Sequence, residues 1–210
     1  MLEGIRRRWW RRRLIDPAFA FLGEPPPDGE FVSLDTETTS LDARKAEILA
    51  IAAIRIRGDR ILASERLEMI VRPSEHAGEG GILIHRLRPI DVARGLPPDE
   101  AIDRLLHFIG PRTLVGYYLE YDLAILNRYL RPKLGVPLPN RRIEVSALYY
   151  DAKIRRTPNS NVDLSFRAIR QDLDLPARAE HDAFNDALLT AMMFLRLTGP
   201  GGGRAGAGVG

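Results

Sequence analysis

The chain has 210 residues, 45% of them hydrophobic, with no cysteine and a formal net charge of +3. That is enough chain for one domain with a packed core, and it excludes a disulfide-stapled module, thiol catalysis and a wholly disordered protein. No apolar run is long enough to span a bilayer, and the basic start leads into Trp9-Trp10 and further arginine rather than an apolar leader, so a cytoplasmic protein is expected.

In chain order, residues 1–30 read as an appendage: a short basic helix over 1–14, with Leu2, Ile5 and Trp9 on one side, then a stiff spacer containing Pro25-Pro26-Pro27. Three strands follow at 31–35, 47–57 and 60–71, the last two joined by a tight turn at Gly58-Asp59, which predicts an antiparallel meander. Residues 98–109 have helical spacing, with Ala101, Ile102, Leu105, Leu106 and Ile109 on one face. A short buried strand is predicted at 113–116, a helix at 123–130 stopped by Pro132, and a short strand at 142–145 running into a helix through Tyr150. Helices at 164–172 and 182–197 follow, the latter with Ala183, Ala187, Leu188, Ala191 and Leu195 inward. The expected domain is 31–198, and 199–210 is a glycine-rich tail. A meander followed by alternating helices and strands is an α/β pattern.

The positive charge is local. Six of the 31 basic residues and one of the 28 acidic ones lie in the first 13 positions, so the rest of the chain holds 25 basic against 27 acidic groups. The near-neutral body gives no electrostatic argument for a nucleic-acid partner. The arginine-rich start is a candidate for contact with nucleic acid, an anionic surface or a protein, and equally for packing on the body through Trp9 and Trp10.

Three segments carry candidate chemistry. Asp35 and Glu37 end the first strand two residues apart, so their carboxylates share a face and need a cation to stand together. Hard divalent ions prefer such oxygen ligands. A D-x-E is also an ordinary polar strand end. Asp122 follows the strand that ends at Gly116, where α/β sheets place their sites, but it also suits a helix N-terminus. His181 and Asp186 would diverge by roughly 140° inside one helix, and converge only if His181 precedes it. A histidine titrating near neutrality can take a proton from water; a capping histidine is the plainer reading. The tail spells G-x-G-x-x-G at Gly201, Gly203 and Gly206, but no strand precedes it, and His76 and His107 lack partners at metal-ligand spacing.

Taken together, FVSLDTETTSL, Asp122 in YLEYDLAILNRYL, and HDAFNDA resemble, in order and spacing, the DEDDh 3′→5′ exonucleases, a family that includes the epsilon proofreading subunit of DNA polymerase III and RNase T. IHRLRPIDVARGLPP is similar to a further family segment, with His85 at its histidine. The resemblance covers about residues 31–197 and implies an RNase H-like fold: a mixed five-stranded sheet, antiparallel meander plus parallel strands, flanked by helices. It implies that Asp35, Glu37, Asp122 and Asp186 hold two Mg²⁺ or Mn²⁺ ions, Asp122 through water, with His181 as general base. Thr38, Leu41 and His85 are the substrate-binding candidates it implies. The implied substrate is the 3′ end of a DNA or RNA strand, single-stranded DNA first, releasing nucleoside 5′-monophosphates. A polymerase or other protein partner, or an idle nucleic-acid-binding or docking module on the same fold, is the alternative.

Overall fold

The computed structural model describes residues 2–74, 87–158, 161–178 and 182–199. Three strands, β1 (Glu30–Thr38), β2 (Ile48–Arg57) and β3 (Arg60–Ile70), form the expected meander, and β4 (Thr113–Gly116) and β5 (Arg142–Glu144) extend it. The sheet order is β3-β2-β1-β4-β5. β1 runs antiparallel to β2 and parallel to β4, and β4 runs parallel to β5. The mixed five-stranded sheet expected from the sequence is therefore present.

Helices cover both faces. α1 (Leu2–Arg13) leads into a 3₁₀ turn at Pro17–Gly23. α2 (Pro89–Ala93) and α3 (Pro98–Ile109) precede β4. α4 (Leu119–Leu134), α5 (Val145–Arg156), α6 (Phe166–Asp172) and α7 (Ala183–Thr198) follow it. No described helix is long and apolar enough to cross a membrane. The predicted stripe of α3 is buried residue for residue.

β1 alternates as a strand must. Val32 and Leu34 join Ile48, Ile51 and Ala53 in a core with α3 and α4. On the opposite face the Ser33 hydroxyl donates to the Ala187 carbonyl of α7 at 2.7 Å. Asp35 lies opposite Ala52, and Glu37 opposite Ala50. Ala50 and Ala52 pack with Ala183 and Ala187 of α7 in one buried cluster. Small side chains on both elements let the helix approach closely, and that approach carries Asp186 toward the strand.

Two expectations about α4 are corrected. The helix does not start near Asp122 but three residues earlier, because the Glu144 carboxylate accepts the Tyr118 and Leu119 N–H groups, each at 3.0 Å. Those are first-turn donors that otherwise lack partners. Nor does Pro132 stop it: the helix runs through Pro132 to Leu134, which is fully buried. Gly135 then ends it in the left-handed conformation, φ 71°, its N–H on the Arg131 carbonyl at 2.8 Å. Gly116 allows the tight passage from β4, since a Cβ there would sit 2.7 Å from Leu119.

The first 30 residues contribute to the core. Trp10 is 3% exposed, with Phe19 and Leu22 buried beside it, and its indole N–H donates to the Pro137 carbonyl at 2.8 Å. Of the two tryptophans weighed for packing on the body, Trp10 is the one that packs, while Trp9 is 46% and Ile5 61% exposed. Trp10→Ala is expected to cost about 3–5 kcal/mol, read as a lower denaturant midpoint at unchanged slope. A midpoint within error of the parent protein would show that this anchor is dispensable.

Candidate active site

Asp35 and Glu37 stand near the end of β1 on its face toward α7, and Asp186 is in the first turn of α7. Each offers a carboxylate oxygen within 4.8 Å of the other two. Glu37 is buried, and Asp35 and Asp186 are half-buried. The strand pairing and the helix thus bring together three acids separated by up to 151 positions in the sequence. No ion pair among the described residues involves Asp35.

Asp122 enters from the other side. It is 4% exposed in the first turn of α4. Its Oδ1 accepts the Thr36 N–H at 3.0 Å and the Thr36 hydroxyl at 2.5 Å. Thr36 lies between the two strand acids and points to the opposite face of the sheet, so the strand that presents Asp35 and Glu37 also holds Asp122. Asp122 lies outside the three-oxygen group but within its electrostatic reach.

The crowding is legible in the acids themselves. Burial raises the Asp35 carboxyl well above its ordinary value, and the charges of Asp122, Asp186 and Glu37 raise it further. Burial raises Asp122 to about 7 against the pull of its two Thr36 hydrogen bonds, with Glu37 adding to the rise. A carboxyl raised in the fold keeps a proton that the unfolded chain has already lost. The metal-free protein should therefore lose stability as pH rises from about 4 to about 7, and change little on this account below that window. Thermal melts in a chelator across that range should show a falling Tm. Added divalent cation should restore it, most at the upper end. A flat profile would mean that the acids are not strained together.

The donor set fits a divalent ion. It is all oxygen and made of carboxyl groups, and no ion pair among the described residues engages Asp35, which is the environment hard cations take. Glu37 lines a cleft of about 720 Å³ together with Arg66, Met69, Leu87, Asp182 and Phe184. The Arg66 guanidinium lies over the Phe184 ring, 5.1 Å from its centroid. Asp182 caps α7 by accepting the Asn185 N–H at 2.9 Å.

Of the other sequence candidates, Thr38 is buried, its hydroxyl 2.7 Å from that of Tyr121, and Tyr121 also donates to the Ser40 carbonyl. Leu41 is 92% exposed. His85 and His181 lie outside the described residues. Tyr117 is tied down by a hydrogen bond to the Leu164 carbonyl at 2.9 Å, whereas Tyr118 is 60% exposed with a left-handed backbone, φ 53°. Sequence reasoning did not single out Thr36, Arg66, Phe184 or Glu144. For Thr36 a signal existed, since a donor between two same-face acids must face the other way; for the rest, long-range pairing decides.

Comparison with known proteins agrees with this geometry. Residues 32–194 match the RNase T exonuclease family. DNA polymerase III subunit epsilon of Aquifex aeolicus is 28% identical over 173 residues, 81% of each chain. A PolC-type DNA polymerase III of Thermotoga maritima is 25% identical over 169 residues, but the chain spans only 12% of that protein. Among solved structures, cell-death related nuclease 4 superposes with a TM-score of 0.69 at 15% identity, covering 81% of this chain and 64% of that one. E. coli exonuclease I in complex with a dT13 oligonucleotide also gives 0.69 at 15% identity, covering 82% and 41%. These last two share the fold. With the family matched across most of the chain and three acids of its motifs meeting within 4.8 Å, the chain belongs to the exonuclease family, as a 3′→5′ exonuclease of the DEDDh type.

Proposed function

We propose that the chain hydrolyses the terminal phosphodiester at the 3′ end of single-stranded nucleic acid, DNA foremost, releasing nucleoside 5′-monophosphates. The observation that carries this is the meeting of Asp35, Glu37 and Asp186 within 4.8 Å at the edge of an open cleft. In this reading those three acids, with Asp122 acting through water, hold two Mg²⁺ or Mn²⁺ ions. Bound there, such ions would stabilise the charge on the attacking and leaving oxygens and acidify a bound water.

The protein's own groups supply the rest. His181 takes the proton from water as its oxygen forms a bond to phosphorus. The bond from phosphorus to the 3′ oxygen breaks, and that oxygen takes a proton from solvent water to leave as the new 3′ hydroxyl. Thr36 fixes Asp122, so the fourth carboxylate is positioned before substrate arrives. The cleft walls at Arg66 and Phe184 offer a guanidinium for a phosphate and a ring for a base. A terminal base must be unpaired to enter, which favours single strands. Thr38, Leu41 and His85 remain the candidates for gripping the terminal nucleotide.

The test is a time course on 5′-labelled single-stranded DNA and RNA of one sequence, with Mg²⁺, with Mn²⁺ and with EDTA. A ladder shortening from the 3′ end, abolished by EDTA, is expected, and the faster strand identifies the sugar preference. No shortening of either strand by folded protein would leave a binding or docking module. The match to the Aquifex epsilon subunit over four fifths of both chains extends the proposal to a polymerase partner, which co-purification would check.

A further inference from the structure

The arginines of α1 are sorted by the fold onto a face of their own. Arg7, Arg8, Arg11 and Arg12 line a shallow cleft of about 400 Å³ with Gly4, Gly23 and Pro25. Arg8, Arg11 and Arg12 are exposed, and Arg7 is half-buried. The pairs Arg7/Arg11 and Arg8/Arg12 are one helical turn apart, a spacing at which like charges repel and destabilise the helix. Over residues 2–13 the sequence supplies a single acid, Glu3, against six arginines. The helix is nonetheless fixed to the body, through Trp10 and its bond to Pro137. A row of guanidinium forks on a helix fixed to the body is a platform for a polyanion.

Its position relative to the catalytic acids is set by α4. Asp122 is in the first turn of α4. Leu134, whose carbonyl accepts the Ile15 N–H just beyond α1, is in the last. Twelve residues at 1.5 Å each put about 18 Å between those ends. The point where the segment after α1 joins the body is therefore about 18 Å along α4 from Asp122.

We propose that this cleft is a second anchor for the nucleic-acid strand, binding phosphates several nucleotides upstream of the 3′ end being cut. The inference rests on the exonuclease reading for the identity of the strand. A membrane is a poorer occupant. Among the described residues the exposed apolar ones of α1, Ile5 and Trp9, line a neighbouring groove against Pro111, Pro137 and Leu138, and two side chains are a small apolar face for insertion into lipid. An acidic protein segment matches the charge but not the regularity of the row, whereas phosphates recur at fixed intervals along the strand that the reaction already brings to the protein.

The test compares the parent protein with a variant carrying Arg7→Gln, Arg8→Gln, Arg11→Gln and Arg12→Gln, and with the matching four-lysine variant. Substrates are a dinucleotide and a single-stranded DNA about 25 nucleotides long; at ~3.4 Å per stacked nucleotide the dinucleotide cannot reach the cleft. For the long strand the glutamine variant should raise KM at least tenfold with kcat unchanged. It should also flatten the dependence of log KM on log salt by about 3, at ~0.7 for each phosphate no longer neutralised. The dinucleotide KM should not move, and the lysine variant should keep most of the salt dependence. Anisotropy of the labelled long strand in EDTA reads binding without turnover, so the anchor stands or falls even if no substrate is cut. Unchanged long-strand affinity and salt dependence in a folded glutamine variant would overturn the proposal. So would loss of binding to poly-glutamate or phosphatidylserine vesicles with strand affinity intact.

Discussion

Asp35→Asn should lower kcat by about 10³-fold or more. Ion-borne stabilisation of a phosphoryl-transfer transition state amounts to several kcal/mol, and each 1.36 kcal/mol is a factor of ten. The same substitution should raise the Tm of the metal-free protein at neutral pH, because it removes one charge from a site where Asp122, Asp186 and Glu37 already push the Asp35 carboxyl toward its protonated form. It should also erase most of the cation-induced gain in Tm. Three readouts moving in these directions separate a ligand from a structural acid, whose removal would lower both activity and metal-free stability. Asp186→Asn should behave alike, since its oxygen belongs to the same group within 4.8 Å. Wild-type turnover in either variant, or an undiminished cation effect on Tm, would remove these acids from the ion site.

What could be read in advance follows from how far each feature depends on local sequence. The stripe of α3 and the alternation that puts Asp35 and Glu37 on one face are local periodicities, and the structure reproduces both. The start of α4 is not local: the Glu144 carboxylate that caps it comes from some 25 residues away. The passage of α4 through Pro132 likewise depends on Leu134 finding a buried site and on Gly135 closing the turn. Which tryptophan faces inward was equally open from spacing alone, and the Pro137 carbonyl resolves it in favour of Trp10. In the site itself, the pair of acids was visible as a motif. That Thr36 braces Asp122, and that Ala50 and Ala52 make room beside α7, emerges only from pairing across the sheet and against the helix.

His181→Ala should reduce kcat by about 10²–10⁴-fold, the range for loss of a positioned general base. That role is part of the proposed function; α7 itself begins at Ala183, with Asp182 as its cap in an extended conformation, φ −134° and ψ 109°. The expected signature is specific. A base must be unprotonated to act, so the parent rate should climb with pH through the histidine range near 6.5, and the variant should lose that limb. The cation-induced gain in Tm should survive, because the acids that hold the ions are untouched. A fall in rate accompanied by loss of that gain would assign His181 to the ion site. An unchanged acidic limb would place the proton's first acceptor elsewhere, and the carboxylates of the cleft, Asp182 first among them by its place on the wall, would be the next to replace.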